Sequence, residues 1–405
     1  MKIVHICLGF PIEFPGGITN YVASLSRIQG IENEVIVYSG SNVNNLQCFS
    51  KGRFKNKRFD SSIRTFSLDL LAEDDKISVL FNDLVSEHAD VYHFHSVLGV
   101  DIRFLKMFSE CSPKLNYYVS FHDYNMLCPR VYMVDKWNGI CHTVDEKHCS
   151  KCIGVLEQIE PIKKISEKIG IKLPTIESKS INTRNVFFKQ FLNSSKGNFA
   201  VSNRVKEIYS FFNDIEIDVI TIGNDSAKEF KTRHYTMLPG LTVGFLGSFN
   251  EKKGAKIFTD ICRKVKSNAR MDINFVMYGR GDKALIEEFE ASGGIYKGPY
   301  TPDMLKDILK DIHIGCVLSI WEDNGPQVTM EFINNGIPTI GTNRGGIPDF
   351  IKLDTGLIIE PENIDEAVNW LTSIDLEQLN YLCSKIEPLK TPEYHALELL
   401  KRYQA

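Results

Sequence analysis

No stretch of about 18 apolar residues occurs in this sequence, which leaves no candidate for a membrane-spanning helix. An excess of charge of one sign is missing too: 47 lysines and arginines stand against 51 aspartates and glutamates, a formal charge of −4. Proteins that grip nucleic acid carry a basic excess, so no nucleic-acid partner is expected. There is no internal repeat and no low-complexity run. No G-x-G-x-x-G turn follows the first strand-like run, and no acid stands at the usual ribose offset, which counts against a dinucleotide-dependent dehydrogenase. The opening MKIVHICLGF reads as a strand, with an apolar run too short and too weakly flanked for a signal peptide. The expectation is a cytoplasmic protein whose ten cysteines are mostly reduced. Cys7, Cys262 and Cys316 lie inside apolar runs and read as small buried hydrophobes.

What is present is an ordinary globular composition, 43% hydrophobic and 24% charged, in a chain of 405 residues. That length suits two domains of about 200 residues each. Strand-like runs alternate with helical patterns twice over. KIVHICL, EVIVYS, VYHFH, NYYVSFH and NFAV fill the first half, with helices over 18–28 and 76–87; LTVGFLG, INFVMYG, IHIGCVLS and IPTIG fill the second, with helices near 255–266, 284–291 and 304–309. Such alternation predicts an α/β fold of two Rossmann-like, doubly wound domains. They are placed at 1–222 and 228–390, with a boundary in the polar stretch 221–240 that ends in Pro239-Gly240. A cysteine-rich and helical insertion over about 124–195 breaks the alternation of the first domain. Its lysine-rich part, 155–195, reads either as a solvated helical insertion or as an acceptor or membrane-surface element.

Ligands of such folds bind beyond the carboxyl ends of the strands, so the residues there come first. After the first strand, Gly16-Gly17 leads directly into a helix and lets backbone N–H groups approach a phosphate, although a Gly-Gly pair is also a common turn. His93 and His95 in VYHFHS share one strand face; without an evident third ligand they suit hydrogen bonding or packing better than a metal. His122 and Asp123 follow the strand NYYVS, where a histidine can donate to a hydroxyl or be merely buried. In WEDNGPQVTMEFINNGIPTIGTNRGGIPDFI, residues 321–351, Pro326 can open a helix that Asn335 and Gly336 close, and Asp323 and Glu331 lie eight residues apart about its N-terminal part. A helix N-terminus flanked by carboxylates offers N–H groups to a phosphate and charged acceptors to hydroxyls; the plain alternative is an amphipathic helix with a solvated acid. Cys128, Cys141, Cys149 and Cys152, with a C-x-x-C pair, suggest a structural zinc, a packed reduced cluster or a disulfide, and His142 and His148 are rival ligands.

Taken in order, these elements resemble retaining glycosyltransferases of family 4, over nearly the whole chain from Met1 to about Leu371. SFHDYNMLCPR with the cysteines after it resembles a subgroup of that family. GFLGSFNEKKGAKIF resembles its phosphate-binding segment, YGRGD the strand-end turn that follows, and WEDNGPQVTMEF with GGIPDFI its donor-sugar site. The resemblance implies a GT-B fold, in which two Rossmann-like domains face each other across a cleft, and a last helix within 391–405 that crosses back to the first domain. It implies that Gly16 and Gly17 face the donor phosphates, that His122 contacts the transferred sugar and that Lys253 neutralises the diphosphate. Asp323, Asn324 and Gly325 would hold sugar hydroxyls and phosphate, and Glu331 would accept from the ribose hydroxyls. Two departures stand out. Ser248 occupies the place of the family's arginine, for which Arg280 or Lys252 could substitute, and Asp323 replaces a glutamate, with Glu322 beside it as a competitor. Asp349, where a glutamate is common, is a milder change.

The implied activity is retaining transfer of a hexose from a UDP- or GDP-sugar to a glycan or lipid-linked glycan acceptor in surface polysaccharide biosynthesis, with no catalytic metal or cofactor and with a peripheral membrane contact. A nucleotide-sugar epimerase of the same fold and a weakly catalytic sugar-nucleotide-binding regulator are the alternatives.

Overall fold

The computed structural model describes residues 1–7, 9, 16–41, 47–51, 54–60, 75–98, 100, 102–111, 114–155, 162–237, 240–268 and 272–404. Pro239 and residues 11–15 and 156–161, which entered the reading above, lie outside them. The chain forms two compact units, Met1–Ile220 with Ala396–Ala405, and Thr221–His395.

The first unit holds strands β1 (Lys2–Cys7), β2 (Glu34–Ser41), β3 (Gln47–Lys51), β4 (Phe54–Asp60), β5 (Val91–Phe94), β6 (Tyr117–Phe121), β7 (Gly197–Ala200) and β8 (Asp218–Val219) in the order β3-β4-β2-β1-β5-β6-β7-β8. All pairs are parallel except β3 with β4. Strand order reverses between β1 and β5, where His5 lies opposite His93. Ile3, Val4, Ile6 and Cys7 are buried because helices cover both faces of a parallel sheet, so the strand reads as a continuous apolar run. Ala396, Leu399 and Tyr403 of the last helix, Pro392–Gln404, pack into this core with Val22, Leu25 and Phe199. Val22, Leu25, Phe199 and Leu399 each contribute about 1.5–3 kcal/mol on burial.

The second unit holds β9 (Leu241–Leu246), β10 (Ile273–Tyr278), β11 (Ile295–Gly298), β12 (Ile314–Val317), β13 (Thr339–Thr342) and β14 (Gly356–Ile359), all parallel, in the order β11-β10-β9-β12-β13-β14. This is the doubly wound order with its switch point between β9 and β12, which is where a ligand is expected. Gly244 lies under Ile312 and Gly315 under Phe332, so close that a Cβ at either position would overlap the neighbour; small residues let these strands pack tightly. Cys262 and Cys316 are buried in this core, and Cys7 in that of the first unit, where burial pushes each thiol pKa up.

Several elements differ from the sequence expectation. The strands Gln47–Lys51, Phe54–Asp60, Asp218–Val219, Ile295–Gly298 and Gly356–Ile359 were not expected. FKNKRFD is too polar for a buried run, DV is only two residues long, and IYKG is an edge strand with half-exposed side chains. The insertion of the first unit forms helices Glu146–Ile153, Lys163–Ile169 and Ser178–Asn193. No helix among the described residues is long and apolar enough to cross a membrane.

Candidate functional site

In the second unit the chain turns at the end of β9 through Gly247, whose φ of +103° only glycine adopts cheaply. A Cβ at this position would meet nothing nearer than Val328 Cγ2 at 4.0 Å, so the turn faces the first turn of the helix Gln327–Asn334. Next, Asn250 Oδ1 accepts from the Lys253 N–H at 3.0 Å and shapes a single 3-10 turn over Glu251–Lys253. Gly254 ends it at φ +83°, pressed so closely on the Leu318 carbonyl that any side chain would clash. The Ile320 N–H donates to the Lys252 carbonyl at 2.9 Å. These contacts fasten the lysine turn to the end of β12.

That fastening brings Lys253 Nζ to 2.5 Å from Asp323 Oδ2 and 5.2 Å from the centre of the Trp321 ring. Ser319 Oγ donates to the same carboxylate oxygen at 3.2 Å. The lysine side chain is 38% exposed and the aspartate side chain 10%. The two groups expected to meet different parts of a ligand are therefore paired with each other here, and a ligand would have to exchange into that pair.

Glu322 does not compete with Asp323: it is buried, and its Oε2 accepts the Gly345 N–H at 2.7 Å. Gly345, at φ +55°, lies against the Asp323 backbone, and the Gly346 N–H donates to the Asp323 carbonyl at 2.7 Å. Glu322 thus holds the glycine turn and leaves Asp323 as the polar group. Asn324 is only 3% exposed, yet neither its Nδ2 nor its Oδ1 has a hydrogen-bond partner. Each unsatisfied buried polar atom costs about 1–3 kcal/mol, so a free amide held in this place is ready for a ligand.

Pro326 caps the helix Gln327–Asn334, Asn335 closes it and Gly336 follows at φ +67°. Glu331 sits on this helix in an apolar setting that raises its carboxyl pKa from 4.5 to about 7. Tyr300 lies near enough for that carboxylate, second to burial, to push its phenol up to about 12. Ser248 and Arg280 are exposed, and the Phe249 N–H donates to the Arg280 carbonyl, which fixes the backbone of that turn rather than its guanidinium. Lys252 and Asp349 are exposed as well. Lys253, Asp323 and Asn324 therefore form the centre of the site, and Ser319, Asn250 and Tyr300 are members that the sequence reading missed. Asn250 had a legible signal, a capping residue three positions before Lys253.

In the first unit, Gly16 caps the helix Gly17–Gln29 in extended backbone at φ −179°, and Thr19 Oγ1 donates to its carbonyl at 3.1 Å. Among the described residues nothing lies within 4 Å of where a Cβ on Gly17 would stand. His122 is half-buried just beyond β6, beside Tyr21 at 4.6 Å between ring centres. The loop after it is tied down firmly. Asp123 accepts from Ser96 Oγ at 2.5 Å and the Asn125 N–H at 2.8 Å, and Arg184 donates to the carbonyls of Asn125 and Met126. Burial raises the Asp123 pKa.

Cys128, Cys141, Cys149 and Cys152 are all free thiols, so the disulfide reading does not hold. Burial, and then the neighbouring thiols, push the Cys141 thiol up to about 12 and the Cys149 thiol up to about 11, and burial raises Cys128 as well. Sulfurs about 2.3 Å from a tetrahedral zinc are about 3.8 Å apart. Among the described residues the one group of three ligating side chains within 4.8 Å is His5, His93 and His95. Among the described residues no three of these four sulfurs lie within 4.8 Å of one another, and the Lys136 N–H donates to Cys152 Sγ at 3.3 Å. His148 pairs with Asp135 at 3.1 Å instead of joining them.

Two doubly wound units with a ligand-ready turn at a switch point define a GT-B fold. Solved structures of that fold superpose on the full chain. Sucrose-phosphate synthase from Thermosynechococcus elongatus has a TM-score of 0.66 at 14% identity, covering 100% of this chain and 98% of that one. HepE of Anabaena in complex with UDP and glucose has a TM-score of 0.65 at 12% identity, covering 100% of both. More narrowly, residues 229–380 match the family described as glycosyl transferases group 1, so the second unit is a glycosyl transferases group 1 domain. The putative colanic acid biosynthesis glycosyltransferase WcaL of Salmonella typhimurium is 25% identical over 150 residues, 34% of this chain and 37% of that protein. Its Escherichia coli counterpart is 24% identical over 139 residues, 32% and 34% respectively. The matched stretch thus spans about a third of each of these relatives.

Proposed function

We propose that this chain transfers a hexose from a nucleotide diphosphate sugar to a glycan acceptor, with retention of anomeric configuration, in the building of a surface polysaccharide. The observation that carries this reading is the buried, unpartnered Asn324 amide next to the Lys253–Asp323 pair. An amide that both donates and accepts suits a sugar hydroxyl, and the lysine suits the diphosphate. Negative charge grows on the leaving diphosphate as the glycosidic bond breaks, so a fixed cation and the N-terminus of the helix Gln327–Asn334 stabilise the transition state more than the ground state. Glu331 accepts from the ribose hydroxyls; once they donate, its carboxylate is stabilised and the proton is shed. Gly16 and Gly17 approach the donor phosphates, and His122 contacts the transferred sugar.

A UDP-sugar is preferred over a GDP-sugar as donor, on the strength of the UDP and glucose named with HepE. The WcaL likeness favours an exopolysaccharide-type acceptor. Incubation with a UDP- or GDP-hexose and a glycan acceptor tests the reading. Nucleoside diphosphate released in step with extended glycan is expected; an epimerised nucleotide sugar or an unchanged donor would support the epimerase or the regulator instead.

The acceptor side includes a peripheral contact with an anionic lipid surface. Around the helix Lys163–Ile169, Ile162, Ile165, Ile169 and Ile171 are 46–62% exposed, and Lys164, Lys168 and Lys172 are exposed among them. Exposed isoleucines beside lysines match a membrane interface, where apolar side chains enter the headgroup boundary and cations meet anionic lipid. Flotation with vesicles rich in phosphatidylglycerol should carry the protein, and changing Ile165 and Ile169 to serine should abolish this. Equal flotation by the variant, or self-association through this helix without vesicle binding, would overturn the assignment.

A further inference from the structure

The buried histidines of the first unit take no part in the donor site, and they are the one metal-like cluster among the described residues. Their hydrogen bonds argue against a metal. His93 Nδ1 is bonded to the Tyr403 hydroxyl and its Nε2 to Ser120 Oγ at 2.8 Å. His5 Nε2 meets Gln29 Oε1 at 2.8 Å and its Nδ1 meets His95 Nε2 at 2.9 Å. His95 Nδ1 meets His122 Nε2 at 3.4 Å, the longest link. Every ring nitrogen of His5, His93 and His95 is therefore engaged, and a metal would have to break at least two of these bonds to collect three lone pairs.

The same bonds form a directed chain. Gln29 Oε1 can only accept, so His5 Nε2 carries the proton. Burial holds the His5 pKa down to about 4, so near neutral pH the ring is uncharged and its Nδ1 is a bare acceptor. His95 then donates from Nε2, and because its ring is 0% exposed and its hydrogen-bond partners are two other imidazoles, burial favours the uncharged form that accepts at Nδ1. His122 must in turn donate from Nε2. Tyr21 packs against both His95, at 5.5 Å between ring centres, and His122, at 4.6 Å. Tyr21 and Gln29 stand on the same helix, Gly17–Gln29, whose N-terminus is the Gly16-Gly17 turn.

We infer that Gln29, His5 and His95 are positioning residues that hold His122 as its Nε2–H tautomer, so that His122 presents Nδ1 as a hydrogen-bond acceptor to a hydroxyl of the transferred sugar. This rests on the proposed contact between His122 and that sugar. It replaces the expected role of His122 as a donor with that of an acceptor oriented by a relay whose members Gln29, His5 and His95 are at most 2% exposed.

Long-range proton–nitrogen NMR of protein labelled with nitrogen-15 in histidine reads the tautomer directly, and the wild type should show His122 protonated at Nε2. His95→Phe removes its acceptor and should give a tautomer mixture, with turnover lowered about tenfold, the value of one hydrogen bond, and KM unchanged. His95→Asn places an amide oxygen where Nδ1 was and should restore most of the turnover. If His95→Phe does not fold, Gln29→Leu removes the anchor at the other end and should give the same tautomer mixture. Wild-type His122 protonated at Nδ1 would overturn the relay. So would folded relay variants that keep full turnover while His122→Ala loses it. Full turnover in His122→Ala, alongside the Nε2–H tautomer in the wild type, would instead remove the sugar contact and leave the relay standing.

Discussion

Glu331→Gln is expected to be more stable than the wild type at mildly alkaline pH and much less active. Burial raises this carboxyl from 4.5 to about 7 in the folded chain. Between those two values the folded state holds a proton that the unfolded state has released, so stability falls as pH rises through the interval, and the penalty is complete above about 7. A shift of that size corresponds to about 3 kcal/mol. Glutamine carries no such penalty. Denaturant unfolding at about pH 8 should therefore favour the variant by that amount, and at about pH 4.5 the difference should vanish. Activity should move the other way, because the amide cannot gain the charge with which Glu331 accepts from a ribose. Loss of one charge-assisted contact in a dry site raises the barrier by about 2–4 kcal/mol, or about thirty- to a thousandfold in kcat/KM. Lys253→Ala should lose as much through the diphosphate. Both variants folded and near wild-type turnover would remove the donor-site assignment; silence of Lys253→Ala alone would mean that another cation, such as Lys252 or Arg280, serves the phosphate.

His122→Ala should lower turnover by at least about a hundredfold and leave nucleoside diphosphate affinity almost unchanged. The groups assigned to the nucleotide, Lys253 and Glu331, belong to the second unit, and His122 belongs to the first, so catalysis and nucleotide binding should separate. A merely packed histidine would behave differently: its loss would lower Tm and spare turnover per folded molecule. Turnover, diphosphate binding and Tm measured on one preparation decide between these roles. Unchanged turnover in a destabilised protein would rule out the contact with the reacting sugar.

The fold was legible where strands are buried on both faces. LTVGFL and KIVHIC are continuous apolar runs because helices cover them above and below, and their buried residues follow from that. Ile295–Gly298 and Asp218–Val219 escaped notice because a short, half-exposed strand carries too little apolar pattern to distinguish it from a loop. The capped helix Gln327–Asn334 was legible in Pro326 and Asn335-Gly336, since those residues act locally. The Lys253–Asp323 pair was not, because its members are 70 residues apart and meet only once β9 and β12 become neighbours. The relay from Gln29 to His122 depends likewise on the register of β1 against β5 and of β5 against β6. His5 on its own looks like one more residue of an apolar strand. The cysteine spacing has the same limit: C-x-x-C is a local pattern, whereas the gathering of four sulfurs is a matter of three-dimensional distance that spacing does not carry.

The most direct measurement of the central claim is product analysis by proton NMR after incubation with a UDP-hexose, or a GDP-hexose where UDP donors fail, and a glycan acceptor. Free nucleoside diphosphate and a new glycosidic linkage are expected in equal amounts, with the anomeric configuration of the donor preserved. Inverted configuration, an epimerised nucleotide sugar, or a donor that binds and is never consumed would contradict it.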